Sequence, residues 1–315
     1  MDNTPQNIAQ LIREKALALG FSACGFAGVR PLNEHREHFR RWLDDGNHGT
    51  MEWLANHFDK RLDPSQLVEG AKSVIVLLHN YFPAEKQKDP NAPIIAKYAY
   101  GKDYHHLLKA KLAKLFDYIQ QEISPCSGRM FVDSAPVLER YWAREAGLGW
   151  IGKNSLLIHP RMGSFFFISE LIIDIELPYD QPFTENHCCN CSRCIDACPT
   201  NAIVSPSVID ARKCISYHTI ESKDEIHEEI KERLNGRFFG CDICQDVCPW
   251  NKKFATPHSE PELMPQLQLL DMDTEAWQNL DKPTYNQLFK KSAVQRAGYA
   301  KLLSNLKAAI QSKSF

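Results

Sequence analysis

No stretch of this chain is apolar enough, for long enough, to cross a bilayer. The most apolar run, Ser164 to Ile173, is interrupted by Glu170 and falls well short of the about 20 residues a spanning helix needs. The opening residues, MDNTPQNIAQ, lack a basic region followed by an apolar run, so no secretory signal is read there. Nothing therefore points to an oxidising compartment, and the 11 cysteines are not expected in disulfides. The expectation is a cytoplasmic protein. Excess charge is missing too. A net charge of −2 over 315 residues argues against indiscriminate binding to nucleic acid. Internal repeats are absent, apart from one doubled cysteine motif. What remains is ordinary: 43% hydrophobic and 24% charged residues, as in soluble globular proteins, with length enough for two domains.

The chain is organised around Cys188 to Pro249. This stretch holds Cys188-x2-Cys191-x2-Cys194-x3-Cys198-Pro199, then Cys214, then Cys241-x2-Cys244-x3-Cys248-Pro249. The first run matches the ferredoxin signature for iron–sulfur ligation, and the second keeps its last half. Two intervening residues make a tight turn that brings thiolates onto one cube. Three residues and a proline carry the last cysteine toward a neighbouring cube. Two [4Fe-4S] clusters follow, each run lending its fourth cysteine to the other cluster. Cys188, Cys191, Cys194 and Cys248 are assigned to one; Cys214, Cys241, Cys244 and Cys198 to the other. Zinc also uses C-x2-C pairs, but it does not require two runs ending in Cys-Pro. Cys24, Cys126 and Cys189 are left as spectators.

Elsewhere charge is uneven. Lys282 to Phe315 holds seven Lys/Arg and no acid, and Lys86 to Lys114 holds seven Lys against two Asp. Local basic patches on a near-neutral protein suit a polyanion bound at one face, although a solvated helix surface explains either patch alone. Hydrophobic periodicity predicts helices over Pro5 to Leu19 (capped by Thr4), Asn33 to Asp45, Asp103 to Gln121 and Val137 to Ala146. Strands are expected at Phe21 to Val29, Ser73 to His79, Arg129 to Val132, Ser155 to Ile158 and Ser164 to Ile175. Residues 1–180 thus read as an α/β or α+β domain. A ferredoxin-like insert covers 181–255, with a charged helix at Glu221 to Leu234. A helical region covers 256–315, with helices at Asp273 to Asn279, Tyr285 to Lys291 and Tyr299 to Gln311.

Two motifs mislead. Gly147-Leu-Gly149-Trp-Ile-Gly152 fits G-x-G-x-x-G, but a helix precedes it and a strand follows, the reverse of a dinucleotide fold. Asp103-Tyr-His105-His106-Leu-Leu108 opens like a cobalamin lower-ligand motif, but Leu108 stands where Gly is needed. No histidine has trusted metal-ligand spacing. Asp133 sits between an apolar strand and a Pro-initiated helix. A carboxyl there, partly removed from water, has a raised pKa and serves as a general acid. The alternative is that Asp133 or Ser134 caps the helix.

Taken with the cluster motif, Asp133-Ser-Ala-Pro-Val-Leu-Glu-Arg140, Gly149-Trp-Ile-Gly-Lys-Asn-Ser155 and Gly240-Cys-Asp-x-Cys-Gln-x-Val-Cys-Pro-Trp-Asn251 resemble the epoxyqueuosine reductase family over most of the chain. The resemblance implies an α+β protein: a cobalamin-binding α/β domain related to reductive dehalogenases, a two-cluster ferredoxin-like domain and a short helical, HEAT-like C-terminus. It implies a cobalamin resting as cob(II)alamin and acting as cob(I)alamin, fed by the clusters from an external low-potential donor. The implied substrate is epoxyqueuosine in the anticodon loop of tRNAs for Tyr, His, Asn and Asp, and the product is queuosine. Asp133 would donate a proton to the departing oxygen. Arg140, Lys153 and Asn154 would line the corrin, Ser216 and Asp242 would bridge cluster and corrin, and Arg61 and Lys97 would join them. Cys189 stands where the family usually has Gly. The tail is short of the stacked helices of longer members, with Asn305 in a matching place, and its basic residues would contact phosphates. A monomer and no membrane partner are expected. Two competitors remain: a dehalogenase-like reductase of a small molecule, and a non-enzymatic electron carrier.

Overall fold

The computed structural model describes residues 5–313, so a cap at Thr4 lies outside the described residues. The first half is built on a four-stranded antiparallel sheet. Helix α1 (Pro5–Ala18) leads into β1 (Ala23–Gly28), α2 (Asn33–Asp44), α3 (Phe58–Leu62) and β2 (Ser73–Asn80). A short β3 (Ile94–Ile95) precedes α4 (Tyr104–Tyr118), β4 (Gly128–Phe131), α5 (Glu139–Glu145), the hairpin β5 (Trp150–Ile151) and β6 (Leu157–Ile158), and β7 (Phe166–Ile173). Strand order is β1-β2-β7-β4, and every pairing is antiparallel. The domain is therefore α+β. The central strands β2 and β7 read as continuous apolar runs because both faces are covered, and side chains alternate between the faces.

One face carries Phe26, Ile75, Leu77, Leu171 and Ile173 against α1 and α4, where Ile12, Leu108, Leu112 and Leu115 are buried. The other carries Val74, Val76, Phe131 and Ile172 against α2, α3 and α5, where Phe39, Leu62 and Trp142 are buried. Two of the expected helices are trimmed. The one after Asp133 starts at Glu139, since Leu138 is its N-cap and makes no side-chain cap bond; neither Asp133 nor Ser134 caps it. The G-x-G-x-x-G segment is the approach to the β5–β6 hairpin. At Gly149, φ is +149° and a Cβ would collide with the Ile158 carbonyl, so only glycine fits.

The cysteine region comprises α6 (Arg193–Asp196), β8 (Ile203–Ser205), β9 (Val208–Ile209), α7 (Glu228–Lys231), β10 (Arg237–Phe239), α8 (Ile243–Asp246) and α9 (Pro249–Phe254). The charged helix expected over Glu221 to Leu234 shrinks to α7, preceded by a π-turn at Tyr217–Glu221. With so many neighbouring acids, only Ile230 in α7 is buried. Helices α10 (Leu267–Asp271), α11 (Thr274–Gln278), α12 (Lys282–Leu288) and α13 (Tyr299–Gln311) close the chain. They do not pack alone. Trp277, Phe289, Leu302 and Leu306 share one core with Ile95 and Ala99 and with Ile215, Phe238 and Phe239, and β10 pairs in parallel with β3. Buried Asn305 donates to the Thr219 and Phe238 carbonyls at 2.9 and 3.1 Å. The tail is thereby tied to the cysteine region and to residues 92–100. Among the described residues, no helix is long and apolar enough to cross a membrane.

Candidate functional site

Cys188, Cys191, Cys194 and Cys248 line one recess, of about 310 Å³. Burial, Cys188 and Cys248 together push the Cys194 thiol up to about 11. In the second quartet, burial acts with Cys198 on Cys214. Burial also raises Cys241, to about 12, with Cys214 contributing. Cys244 is raised by burial, Cys241, Cys214 and Cys194. These neighbours bring the eight cysteines together in two adjoining groups, with Cys194 beside Cys244 between them. Thiols so crowded lose their protons to a metal rather than to water, and the soft all-sulfur donor sets suit iron–sulfur clusters. Short helices α6 and α8 hold the x2 and x3 turns. Cys189 is exposed with φ +42°. That left-handed conformation favours glycine and costs Cys189 some strain.

A second site opens beside the sheet. Two adjoining cavities, of about 570 and 440 Å³, share Asp133, Glu139, Arg140, Ser216, Ile220 and Glu221 in their walls. Asp133 follows β4 with φ +55°, a strained geometry for a non-glycine residue that recurs at functional sites. Its backbone N–H donates to Glu139 Oε1 at 2.6 Å. Its carboxyl Oδ2 accepts from Tyr104 at 2.8 Å and lies 3.2 Å from His105 Nε2. His105 Nδ1 in turn lies 2.7 Å from Asp103 Oδ1. The histidine is clamped between two carboxylates. Burial opposes its charge, but hydrogen bonds to Asp103 and Asp133 outweigh burial and raise it to about 9.

This corrects the expectation for Asp133. Burial does push its carboxyl up, yet the His105 and Tyr104 hydrogen bonds, with the charges of His105 and Arg296, leave it below the ordinary value. The side chain is 48% exposed to the cavity, so those partners reach it while burial is incomplete. The raised carboxyl is its neighbour: burial and the Asp133 charge push Glu139 up to about 8. At neutral pH the acidic proton therefore resides on His105 and on Glu139, on either side of Asp133.

The other expected residues separate. Arg61, Arg140 and Ser216 line the 440 Å³ cavity together with Cys214 of the second cysteine group. Arg61 donates to the Trp53 carbonyl at 2.9 Å, and Arg140 to the Ser155 carbonyl at 2.9 Å. Lys97 and Asp242 line neither cavity. Lys97 donates to Asp242 from its backbone N–H at 2.8 Å and from Nζ at 3.4 Å, and to Asp246 at 2.6 Å. Burial still raises the Asp242 carboxyl, Lys97 notwithstanding. This is a bracket beneath the second quartet. Lys153 and Asn154 line the recess of the first quartet. Lys153 donates to the Cys189 carbonyl at 2.7 Å. Asn154 is buried near the Cys244 carbonyl. Tyr104, His105, Glu139 and Arg296 were not anticipated. His105 belongs to the Asp103–Leu108 segment, whose spacing suits no metal, and serves instead between the Asp103 and Asp133 carboxylates.

The wall of the 440 Å³ cavity is mostly apolar, with Phe39, Trp42, Leu54, Val137, Ile151 and Ile209. Against it lie two buried polar atoms without partners, Arg61 Nε and Ser155 Oγ. An extended apolar wall with polar groups awaiting partners fits a large flat cofactor with amides at its rim.

Comparison with known proteins agrees with this geometry. Residues 61–134 match the model of "Epoxyqueuosine reductase QueG, DUF1730", and residues 187–251 match a 4Fe-4S double cluster binding domain. The epoxyqueuosine reductase of Cellulophaga algicola is 50% identical over 304 residues, covering 96% of this chain and 98% of the relative. The chain belongs to the epoxyqueuosine reductase family. As a member it is an oxidoreductase. The Escherichia coli epoxyqueuosine reductase is 40% identical, and the match spans 96% of this chain and 80% of the longer relative. A crystal structure of epoxyqueuosine reductase with a tRNA-Tyr epoxyqueuosine-modified stem loop superposes with TM-score 0.89 at 26% identity, covering 98% of this chain and 82% of that one. The fold extends to the catabolic reductive dehalogenase NpRdhA, with TM-score 0.50 at 17% identity over 79% of this chain and 32% of that one.

Proposed function

We propose that this family member reduces epoxyqueuosine to queuosine in the anticodon loop of the tRNAs for Tyr, His, Asn and Asp. It does so with two [4Fe-4S] clusters and a cobalamin held in the cavities beside Asp133. The observation that carries the reading is the convergence on one wall of Asp133, its proton-bearing neighbours and Cys214. Electrons arriving through the second quartet and protons arriving through Asp133 meet there. The relative solved with a modified tRNA stem loop supports the substrate, and the fold shared with dehalogenases supports the cofactor.

Cobalamin, when bound, supplies a strongly reducing, nucleophilic cobalt(I) centre cycling from cobalt(II). Arg61, Arg140, Ser155 and Ser216 would hold it against the apolar wall. The chain's residues do the rest. His105 keeps a proton within reach of Asp133, and Tyr104 fixes the carboxylate. Asp133 passes the proton to the departing epoxide oxygen. Lys97 neutralises Asp242 under the second quartet. On the tRNA side, Ser292, Ala293, Gln295 and Arg296 line the 570 Å³ cavity, so the acid-free tail reaches the site and offers cations to phosphates.

The test is anaerobic turnover of cluster-loaded protein with cobalamin, a low-potential reductant and epoxyqueuosine-containing tRNA, read by nucleoside mass spectrometry. Loss of one oxygen from the modified base is expected, and it should require cobalamin. No conversion by protein carrying both clusters and cobalamin would overturn the reading in favour of a small-molecule substrate.

A further inference from the structure

Beneath the site lies a charge-capable group that the mechanism above leaves idle. Glu170 occupies the middle of β7, opposite Val76 of β2 and Phe131 of β4. It is fully buried, and neither carboxyl oxygen has a hydrogen-bond partner. Strand alternation puts it on the face of Ile172, Val76 and Phe131, the face covered by α5. Helix α5 begins with Glu139, so one carboxyl sits below the other. Glu139 stands at the junction of the two cavities and accepts the Asp133 backbone N–H at 2.6 Å. A buried, unpaired carboxylate in the middle of a sheet costs far more than the neutral acid. Burial, Glu139 and Asp133 all hold Glu170 in that neutral form.

Other charged and titratable groups also face this pair. Asp133 comes from the loop after β4, and Arg140 from α5 itself. Tyr104 and His105 come from α4, and Arg61 from α3. The one carboxylate charge of the trio rests on Asp133, where His105 meets it. The two carboxyls behind it keep their protons.

We propose that Glu139, backed by Glu170, holds the second proton of the reduction and passes it to Asp133. The stoichiometry asks for such a store. Both C–O bonds of the epoxide break, two electrons from the external low-potential donor form the C=C bond, and the oxygen leaves as water with two protons. The His105–Asp133 pair delivers the first proton. Glu139 recharges Asp133 for the second, while Glu170, sealed without a hydrogen-bond partner, stays neutral behind it and gives up no proton. Glu139 acts through Asp133 and is a positioning and relay residue. The inference rests on the epoxide reduction proposed above.

Glu139→Gln and Glu170→Gln test it, because the amide keeps the acceptor for the Asp133 N–H and the side-chain volume while removing the transferable proton. Infrared spectra of the cluster-loaded protein at neutral pH, without tRNA, should contain neutral-carboxyl C=O bands. One should disappear in each variant. Single-turnover conversion in Glu139→Gln should fall at least about tenfold, the low side of general acid–base contributions. The deficit should be larger at pH 6, where Glu139 keeps its proton, than at and above pH 8, where the wild type loses it too, with an unchanged KM for the tRNA. Glu139→Asp, which restores a proton, should recover part of the rate. The relay is overturned if the wild type converts substrate and Glu139→Gln matches it across that pH range, or if its infrared bands equal those of the wild type. A wild type that converts nothing overturns the substrate reading instead, and the infrared result still decides whether the carboxyls hold protons.

Discussion

The cysteine quartets and the Asp133 site lie side by side and are built in opposite ways. The first quartet takes three of its four cysteines from the seven residues Cys188 to Cys194, and the second takes a pair from Cys241 to Cys244, so short backbone turns bring these sulfurs together. The Asp133 site draws on α3, α4, the loop after β4, α5, the π-turn before α7 and the segment before α13. A metal cluster asks for donors at fixed spacing. A proton-transfer site asks for an environment, and an environment is assembled from distant segments. The same functional group shows it: the Asp133 carboxyl meets a histidine and carries its charge, whereas the Glu170 carboxyl meets nothing and cannot.

The largest expected effect comes from attacking a ligand. Cys214→Ala should cost the second cluster, halving the iron bound per chain and abolishing turnover, because Cys214 also faces the cavity. Iron analysis with electron paramagnetic resonance checks this. An unchanged iron content would remove Cys214 from the quartet. Next is Asp133→Asn, which keeps the Tyr104 contact but carries no proton. Turnover should fall about 10² to 10⁴-fold, with both clusters retained.

His105→Gln sharpens the contrast through pH. The folded-state pKa of His105 is raised to about 9 from an ordinary 6.5. Its protonated form is therefore complete below the unfolded value and is lost as pH rises through about 9. Wild-type activity should fall along that limb, as should the stability contributed by His105. The Gln variant should lack the limb, as a pH–rate profile and denaturant melts at each pH would reveal. The smallest effect is expected from Lys97→Met. It leaves Asp242 buried without its cation, and breaking such a pair costs about 3 kcal/mol of stability. Neither the Asp133 pH profile nor iron binding at low temperature should change.

Much of the fold was legible. The Ser73–Asn80 and Phe166–Ile173 strands are continuous apolar runs, and α1, α4 and α13 announce themselves by period. The helix expected before Cys241 was not legible, because its charged residues scan as helical while only Ile230 finds a core. The tail looked like a separate unit from its composition. Trp277 and Phe289 pack instead with Phe238 and Ile95, a long-range choice with no local signature.

By itself, the order of residues determined the two cysteine runs ending in Cys-Pro and the place of Asp133 between strand and helix, because spacing and local turns suffice for both. Only the tertiary structure decided where protons reside. It set His105 between Asp103 and Asp133, placed Glu139 over Glu170, and drew Lys97 away to Asp242. Protonation depends on burial and on charges only a few ångströms away, and folding alone puts those neighbours in place.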